Sequence, residues 1–220
     1  LGLVHKEMED EVRSTATLTK KESDALNIGA SYTKNDTLFG FNSTLSTQVT
    51  LTMGDLDSPT NTDTDGSYSK IAGSMEQGVE FTPEYALTAS LRFQKALNNK
   101  NLDGSEDFSL GGAYGVRAFP DGEHSSENGY LLGLELFYTL PTIESVSHKV
   151  SVFADTGYAS MENSNGTSQS RHLSDVGIGY QASYKSFFTK AQVARVVGGE
   201  KVESENEHST RLLLQLGYVY

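Results

Sequence analysis

Residues 129–138 read GYLLGLELFY, and their parity decides the fold. Tyr130, Leu132, Leu134, Leu136 and Tyr138 share one face of an extended chain, while Gly133 and Glu135 share the other. Successive strand side chains point to opposite sides, so this is a strand with one apolar and one polar face. The parity recurs. In 84–98, Leu87, Ala89, Leu91 and Phe93 oppose Thr88, Ser90, Arg92 and Gln94. In 149–158, Val150, Val152, Ala154 and Tyr158 oppose Ser151, Phe153, Asp155 and Gly157. In 174–184, Val176, Ile178, Tyr180, Ala182 and Tyr184 oppose Gly177, Gly179, Gln181 and Ser183, and the last stretch sets Leu212, Leu214, Leu216, Tyr218 and Tyr220 against Arg211, Gln215 and Gly217.

About ten strands are predicted, at 7–18, 24–34, 38–53, 67–81, 85–98, 129–140, 149–160, 172–184, 187–197 and 210–220. Their connections alternate in length. Short turns are expected at Asn35-Asp36, Thr82-Pro83-Glu84 and Lys185-Ser186, with a medium one at 141–148. Long polar loops are expected at 54–66, 99–128, 161–171 and 198–209. Such asymmetry belongs to outer-membrane barrels, which have short periplasmic turns and longer extracellular loops. Tyrosines at the strand ends suit the aromatic girdles of such a barrel, and residues 212–220 have the length to span its apolar band. The fold class is therefore all-β, an antiparallel transmembrane β-barrel. A soluble antiparallel sandwich or lipocalin-like barrel shows the same alternation and stays open as the alternative. The first strand is weak: Lys6, Glu7, Glu9, Asp10, Glu11 and Arg13 make it either a strand rising above the membrane or a frayed end.

The 220 residues carry a net charge of -12, which argues against a nucleic-acid partner, since that would call for a basic face. With no cysteine, neither a disulfide framework nor a thiolate metal site can form. No run has the length of an apolar membrane helix, and no secretory leader opens the sequence, so an exported protein would already have lost it. Enzyme readings find little support. His5, His124, His148, His172 and His208 are scattered, and no G-x-S-x-G, H-E-x-x-H or P-loop pattern occurs. Asn61, Asp63, Asp65 and Gly66 begin like a calcium loop, but Ala72 stands where a bidentate carboxylate is needed. No catalysis, cofactor or metal is expected.

The long loop holds the exception, SLGGAYGVRAFPDG at 109–122. Its glycines permit backbone angles closed to other residues, and Pro120 cannot join a central ladder. Arg117 lies between Val116 and the apolar pair Ala118 and Phe119. An arginine so flanked needs a partner. Parity places Phe153, Asp155 and Gly157, with Glu135, on the polar face, which in a barrel is the lumen. A loop folded back into that lumen would bring Arg117 to these carboxylates.

LGGAYGVRAFPDG, the strand GYLLGLELFY and then FADTG at 153–157 together resemble the outer-membrane transporter of bacterial two-partner secretion, the haemolysin secretion/activation (TpsB; FhaC/ShlB/HecB) type. The hallmark of that family is a loop ending in V-R-G-F/Y, paired with an F-x-D-x-G motif two strands later. Here the first reads Val116, Arg117, Ala118, Phe119 and the second Phe153, Ala154, Asp155, Thr156, Gly157, with Ala118 the single departure. LFGFNSTLS at 38–46, DGSYSKI at 65–71, FSLGG at 108–112 and ELFYTLP at 135–141 also match in order.

The resemblance implies a barrel of about sixteen strands behind a plug helix and two periplasmic POTRA domains. None of these precursors lies in the sequence. Residues 1–220 then form the last ten strands, with 99–128 as the long lumenal loop. It also implies export, without ATP, of a large β-rich partner exoprotein such as a haemolysin or adhesin, with outer-membrane lipid as the other contact. Leu214, Leu216, Tyr218 and Tyr220 resemble the C-terminal signal read by the barrel assembly machinery, an expected further partner. An assembly factor of the same superfamily is one rival, against which the FSLGG and ELFYTLP context favours export and the number of upstream POTRA domains would decide; a barrel enzyme and a soluble β-sandwich binding module are the others.

Overall fold

The computed structural model describes residues 1–12, 17–59, 61–162, 170–198, 200–206 and 208–219. Ten long strands form one sheet whose spatial order is the chain order, every neighbouring pair antiparallel. They are β1 (Gly2–Val12), β2 (Thr17–Leu38), β3 (Phe41–Asp57), β4 (Gly66–Glu80), β5 (Tyr85–Ala96), β8 (Asn128–Ile143), β9 (Val146–Ser160), β10 (Ser170–Tyr184), β11 (Phe187–Val196) and β12 (Thr210–Tyr218). Two short strands, β6 (Phe108–Ser109) and β7 (Ser125–Ser126), pair with each other inside the long loop between β5 and β8. Among the described residues β1 and β12 are the two free edges.

The two faces differ as the parity requires. Outward-pointing Leu132, Leu134, Leu136, Val152, Val176, Ile178, Leu212, Leu214 and Leu216 are all exposed. A soluble sheet would not leave a continuous apolar face open; a lipid-facing one must. Aromatic pairs mark its margins. Tyr130 stacks with Tyr158 at 6.0 Å near the long-loop edge, while Tyr85 meets Tyr138 at 4.8 Å and Phe187 meets Tyr218 at 4.9 Å near the turn edge. From Tyr130 to Tyr138 the chain advances roughly 27 Å, which after strand tilt suits the apolar band of an outer membrane. The inner face carries the core instead. Phe108, Leu110, Val116, Ala118 and Phe119 of the β5–β8 loop pack on Leu131, Phe153, Ala159, Leu173 and Ala194 of the sheet.

Three local expectations need correction. The first strand is Gly2–Val12, not 7–18, with residues 13–16 outside the described ones. Its charges pair with β2 beyond the apolar band: Glu9 meets Lys20 at 2.8 Å and His5 meets Asp24 at 2.9 Å, so the run is a strand rising above the membrane. The turn expected at Asn35-Asp36 lies at Phe39-Gly40. Both turn residues have positive φ, 53° and 88°, as the two-residue hairpin turn that suits strand twist demands, and Gly40 supplies that freedom. Asn35 and Asp36 spend their side chains on the ladder instead, accepting from Thr44 Oγ1 and from the Thr37 amide. The connection expected at 141–148 shrinks to Glu144-Ser145, because β8 continues past Pro141 through an irregularity between Leu140 and Ile143.

Candidate functional site: a loop clasp on the inner face

Three inward residues on neighbouring strands build the floor. Glu135 on β8 lies opposite Phe153 on β9, which lies opposite Gly177 on β10. One rung closer to the long-loop edge, Gly133, Asp155 and Asp175 stand in a row. A Cβ at Gly177 would come within 2.2 Å of Phe153 Cζ, so the ring lies flat in the space that glycine leaves.

Arg117 descends onto this floor. Its Nε donates to Asp155 Oδ2 at 2.7 Å and its Nη2 to Asp155 Oδ1 at 3.0 Å, a side-on bidentate pair, while Nη1 donates to Glu135 Oε2 at 2.9 Å. The guanidinium lies over the Phe153 ring, 3.5 Å from its centre. A planar, delocalised cation suits both contacts, and lysine would not. Ser151 Oγ donates to Glu135 Oε1 at 2.7 Å and fixes the second acid. The Arg117 side chain is 9% exposed and that of Asp155 5%, so both charges are largely desolvated. Burial alone would lower the Arg117 pKa, but the hydrogen bond and charge of Asp155, then those of Glu135, outweigh it and hold the value raised.

The loop backbone is shaped to deliver that arginine. The Val116 amide donates to Leu110 O at 2.7 Å and the Gly112 amide to Phe119 O at 2.9 Å, closing a compact double turn. Gly112 adopts φ +93°, and a Cβ at Gly115 would lie 2.1 Å from Leu110 O, so neither position takes a side chain without strain. Val116, Ala118 and Phe119 are fully buried.

The structure thus brings together Val116, Arg117, Ala118 and Phe119 with Phe153, Asp155 and Glu135. Gly157 is one inward step further along, where a Cβ would meet Leu110 Cδ2 at 2.9 Å. One participant was missed. The Ala118 amide donates to Asp175 Oδ2 at 2.5 Å, and Asp175 is 1% exposed with its Oδ1 unpartnered among the described residues. The signal for it was parity, since Asp175 shares the inward face with Gly177 and Gly179. Leu214, Leu216 and Tyr218 are exposed on edge strand β12 and make no part of the clasp; Tyr220 lies outside the described residues.

Two flanking networks tie down the ends of the loop. Glu106 is gripped by Lys6 and by Lys70, the latter at 2.9 Å, and Asp103 meets Lys21 at 2.8 Å. On the other side Glu123 accepts from Arg171 Nη1 at 2.6 Å, Ser204 Oγ at 2.7 Å and the Glu203 amide at 2.9 Å. Burial would raise the Glu123 pKa, but these bonds outweigh it and hold the carboxyl below its ordinary range; Lys6 and Lys70 do the same for Glu106. Among the described residues no group of acids and histidines is arranged to hold a metal.

Residues 3–182 match the family described as haemolysin secretion/activation protein ShlB/FhaC/HecB. No curated protein matches the chain. Among solved structures, CdiB from Escherichia coli is similar with a TM-score of 0.59 at 13% identity, over 97% of this chain and 48% of that one. The chain therefore spans about half the length of that structure, and the likeness is one of fold.

Proposed function

The chain belongs to the haemolysin secretion/activation protein family ShlB/FhaC/HecB, outer-membrane proteins of two-partner secretion, and from that premise we propose that it is the C-terminal part of a transporter exporting one large β-rich exoprotein. Residues 1–220 are then a barrel portion, and a plug helix and POTRA domains precede them in the full-length protein. No bond chemistry is involved. The partner threads the lumen as an unfolded chain, and its folding outside supplies the drive in place of ATP.

The observation that carries this reading is the buried clasp of Arg117 with Asp155 and Glu135. A 97–127 loop bolted to the inner wall by a desolvated ion pair, and by networks at both ends, is a device for holding a plug at a set depth in a channel. An ordinary extracellular loop has no need of buried charge, whose desolvation must be offset by well-made bonds. The outward apolar residues are the lipid contact. Leu214, Leu216, Tyr218 and Tyr220 serve recognition by the barrel assembly machinery.

Full-length transporter reconstituted in liposomes without nucleotide, and offered its unfolded partner, tests the export reading. Uptake of the partner into a protease-protected lumen is expected. A requirement for ATP, or insertion of unrelated barrel proteins by the same liposomes, contradicts it and favours an assembly factor.

A further inference from the structure

On the inner wall, between the clasp and the short turns, one cross-strand row reads Thr139, Lys149, Gln181, Lys190, Gln215, each directly opposite the next in register over β8 to β12. It floors an open groove of about 610 Å³. Parity fixes its direction: Lys149 lies one inward step from buried Ser151, and Lys190 one from buried Gln192.

Of the other inward cations, Lys6 and Lys70 are matched to Glu106, Lys21 to Asp103, Arg171 to Glu123 and Arg117 to Asp155, while Arg92 is spent on Tyr114 O and the Phe108 ring. Lys149 lies over the Phe137 ring, 4.3 Å from its centre, which positions the charge without cancelling it. Neither Lys149 nor Lys190 pairs with a carboxylate among the described residues, and the nearest acid up the wall, Glu135, is committed to Arg117 and Ser151. In a chain of net charge -12, two unmatched lysines on one rung, with amide side chains beside them, are the complement of an acid supplied from outside.

We propose that this row is a binding groove for acidic side chains of an extended polypeptide passing through the lumen, a reading that rests on the transporter function above. Lys149 and Lys190 lie two strands apart, roughly 10 Å. Two carboxylates three residues apart on a chain in polyproline II conformation, with three residues per turn and a rise of about 3.1 Å, share one face and lie about 9 Å apart. Gln181 between them and Gln215 beyond offer donors and acceptors to the passing backbone. The groove lies on the turn side of the clasp, so a chain entering from that side meets it before Arg117.

The test is channel block. Full-length transporter in a planar bilayer receives an unstructured Glu/Ser peptide of about twenty residues, or its Lys/Ser counterpart, from the turn side. The acidic peptide is expected to block the current, and the double variant Lys149→Gln, Lys190→Gln to raise its half-blocking concentration about tenfold at low salt, with the effect shrinking as salt is added. Equal half-blocking concentrations for the two proteins, or equal block by the lysine peptide, overturns the groove. The liposome uptake assay on the wild-type protein reports separately on export: uptake with unchanged block sinks the groove alone, and no uptake sinks the export reading.

Discussion

Truncating Arg117 to alanine should release the loop without dissolving the sheet. Arg117 makes three charge-assisted hydrogen bonds to two carboxylates and covers the Phe153 ring. Alanine leaves Asp155 and Glu135 buried beside Asp175 with no counter-charge. Breaking a buried pair on one side costs about 3–5 kcal/mol. At about 1.4 kcal/mol per decade, loop opening becomes between a hundredfold and a few thousandfold more frequent. Lysine restores the charge but makes neither the bidentate bond nor the stack, so Arg117→Lys should recover only part, leaving a deficit of about 1.5–3 kcal/mol. Native-state hydrogen exchange in detergent or nanodiscs reads this directly. The amides of Gly112, Val116 and Phe119, which bond only within the loop, should exchange faster by those factors. Ladder amides of β9 and β10 should not change. Loop amides of Arg117→Ala exchanging within threefold of wild type would refute the claim that the ion pair holds the loop.

Three other perturbations probe the frame. Gly177→Ala places a Cβ 2.2 Å from Phe153 Cζ and 2.4 Å from Val193 O, so the ring must leave the guanidinium; loop exchange should rise about tenfold, for about 1.5 kcal/mol of lost stacking and packing. Leu134→Lys puts a charge on the lipid face and should cost about 2–4 kcal/mol, seen as a smaller heat-modifiable fraction on gels, whereas Gln181→Lys on the lumenal face should fold normally. Asp107, in the loop and outside the spanning strands, has its pKa pushed up to about 6 by burial and then by Glu127 and Asp103, against Lys70 and Ser125. Because its folded value is raised, its contribution to stability is present below the unfolded value and lost as pH rises through about 6. From pH 4.5 to 7 loop stability should therefore fall by about 1 kcal/mol more in the wild type than in Asp107→Asn, after allowance for solvent screening of a half-buried group. Glu106 and Glu123, whose values are depressed, act with the opposite sign toward the acid end, and His124, held down by burial and Arg171, acts with the opposite sign within the window, so the comparison with Asp107→Asn isolates the Asp107 contribution.

Period two was enough to read the spanning strands, because each has lipid on one side and water or loop on the other, and one residue of slip would reverse both; β1, which rises above the membrane, lacks that alternation, and its run of charges hid its bounds. The clasp was legible for a related reason. Arg117, Asp155 and Glu135 are charges that cannot face lipid, so parity and the V-R-A-F and F-A-D-T-G motifs pointed at one another. What could not be read was how each group is spent. Asn35-Asp36 is a turn signal in composition, yet hairpin twist favours positive φ at both turn residues and Gly40 supplies it, so the turn moved to Phe39-Gly40. Asp175 was passed over because its role is to accept the Ala118 amide, a backbone donor that carries no mark in the sequence. The lysine row at Lys149 and Lys190 becomes visible only once register sets β9 and β11 two strands apart.

The most direct measurement is a charge exchange in the full-length transporter: Arg117→Asp, Asp155→Arg and the two together, scored by secretion of the partner and by heat-modifiable barrel mobility. A lumenal clasp required for transport predicts that both single variants form barrels but lose secretion, and that the double exchange regains part of it. Single variants that secrete at the wild-type level would contradict the central claim, leaving Arg117 a residue of loop structure alone.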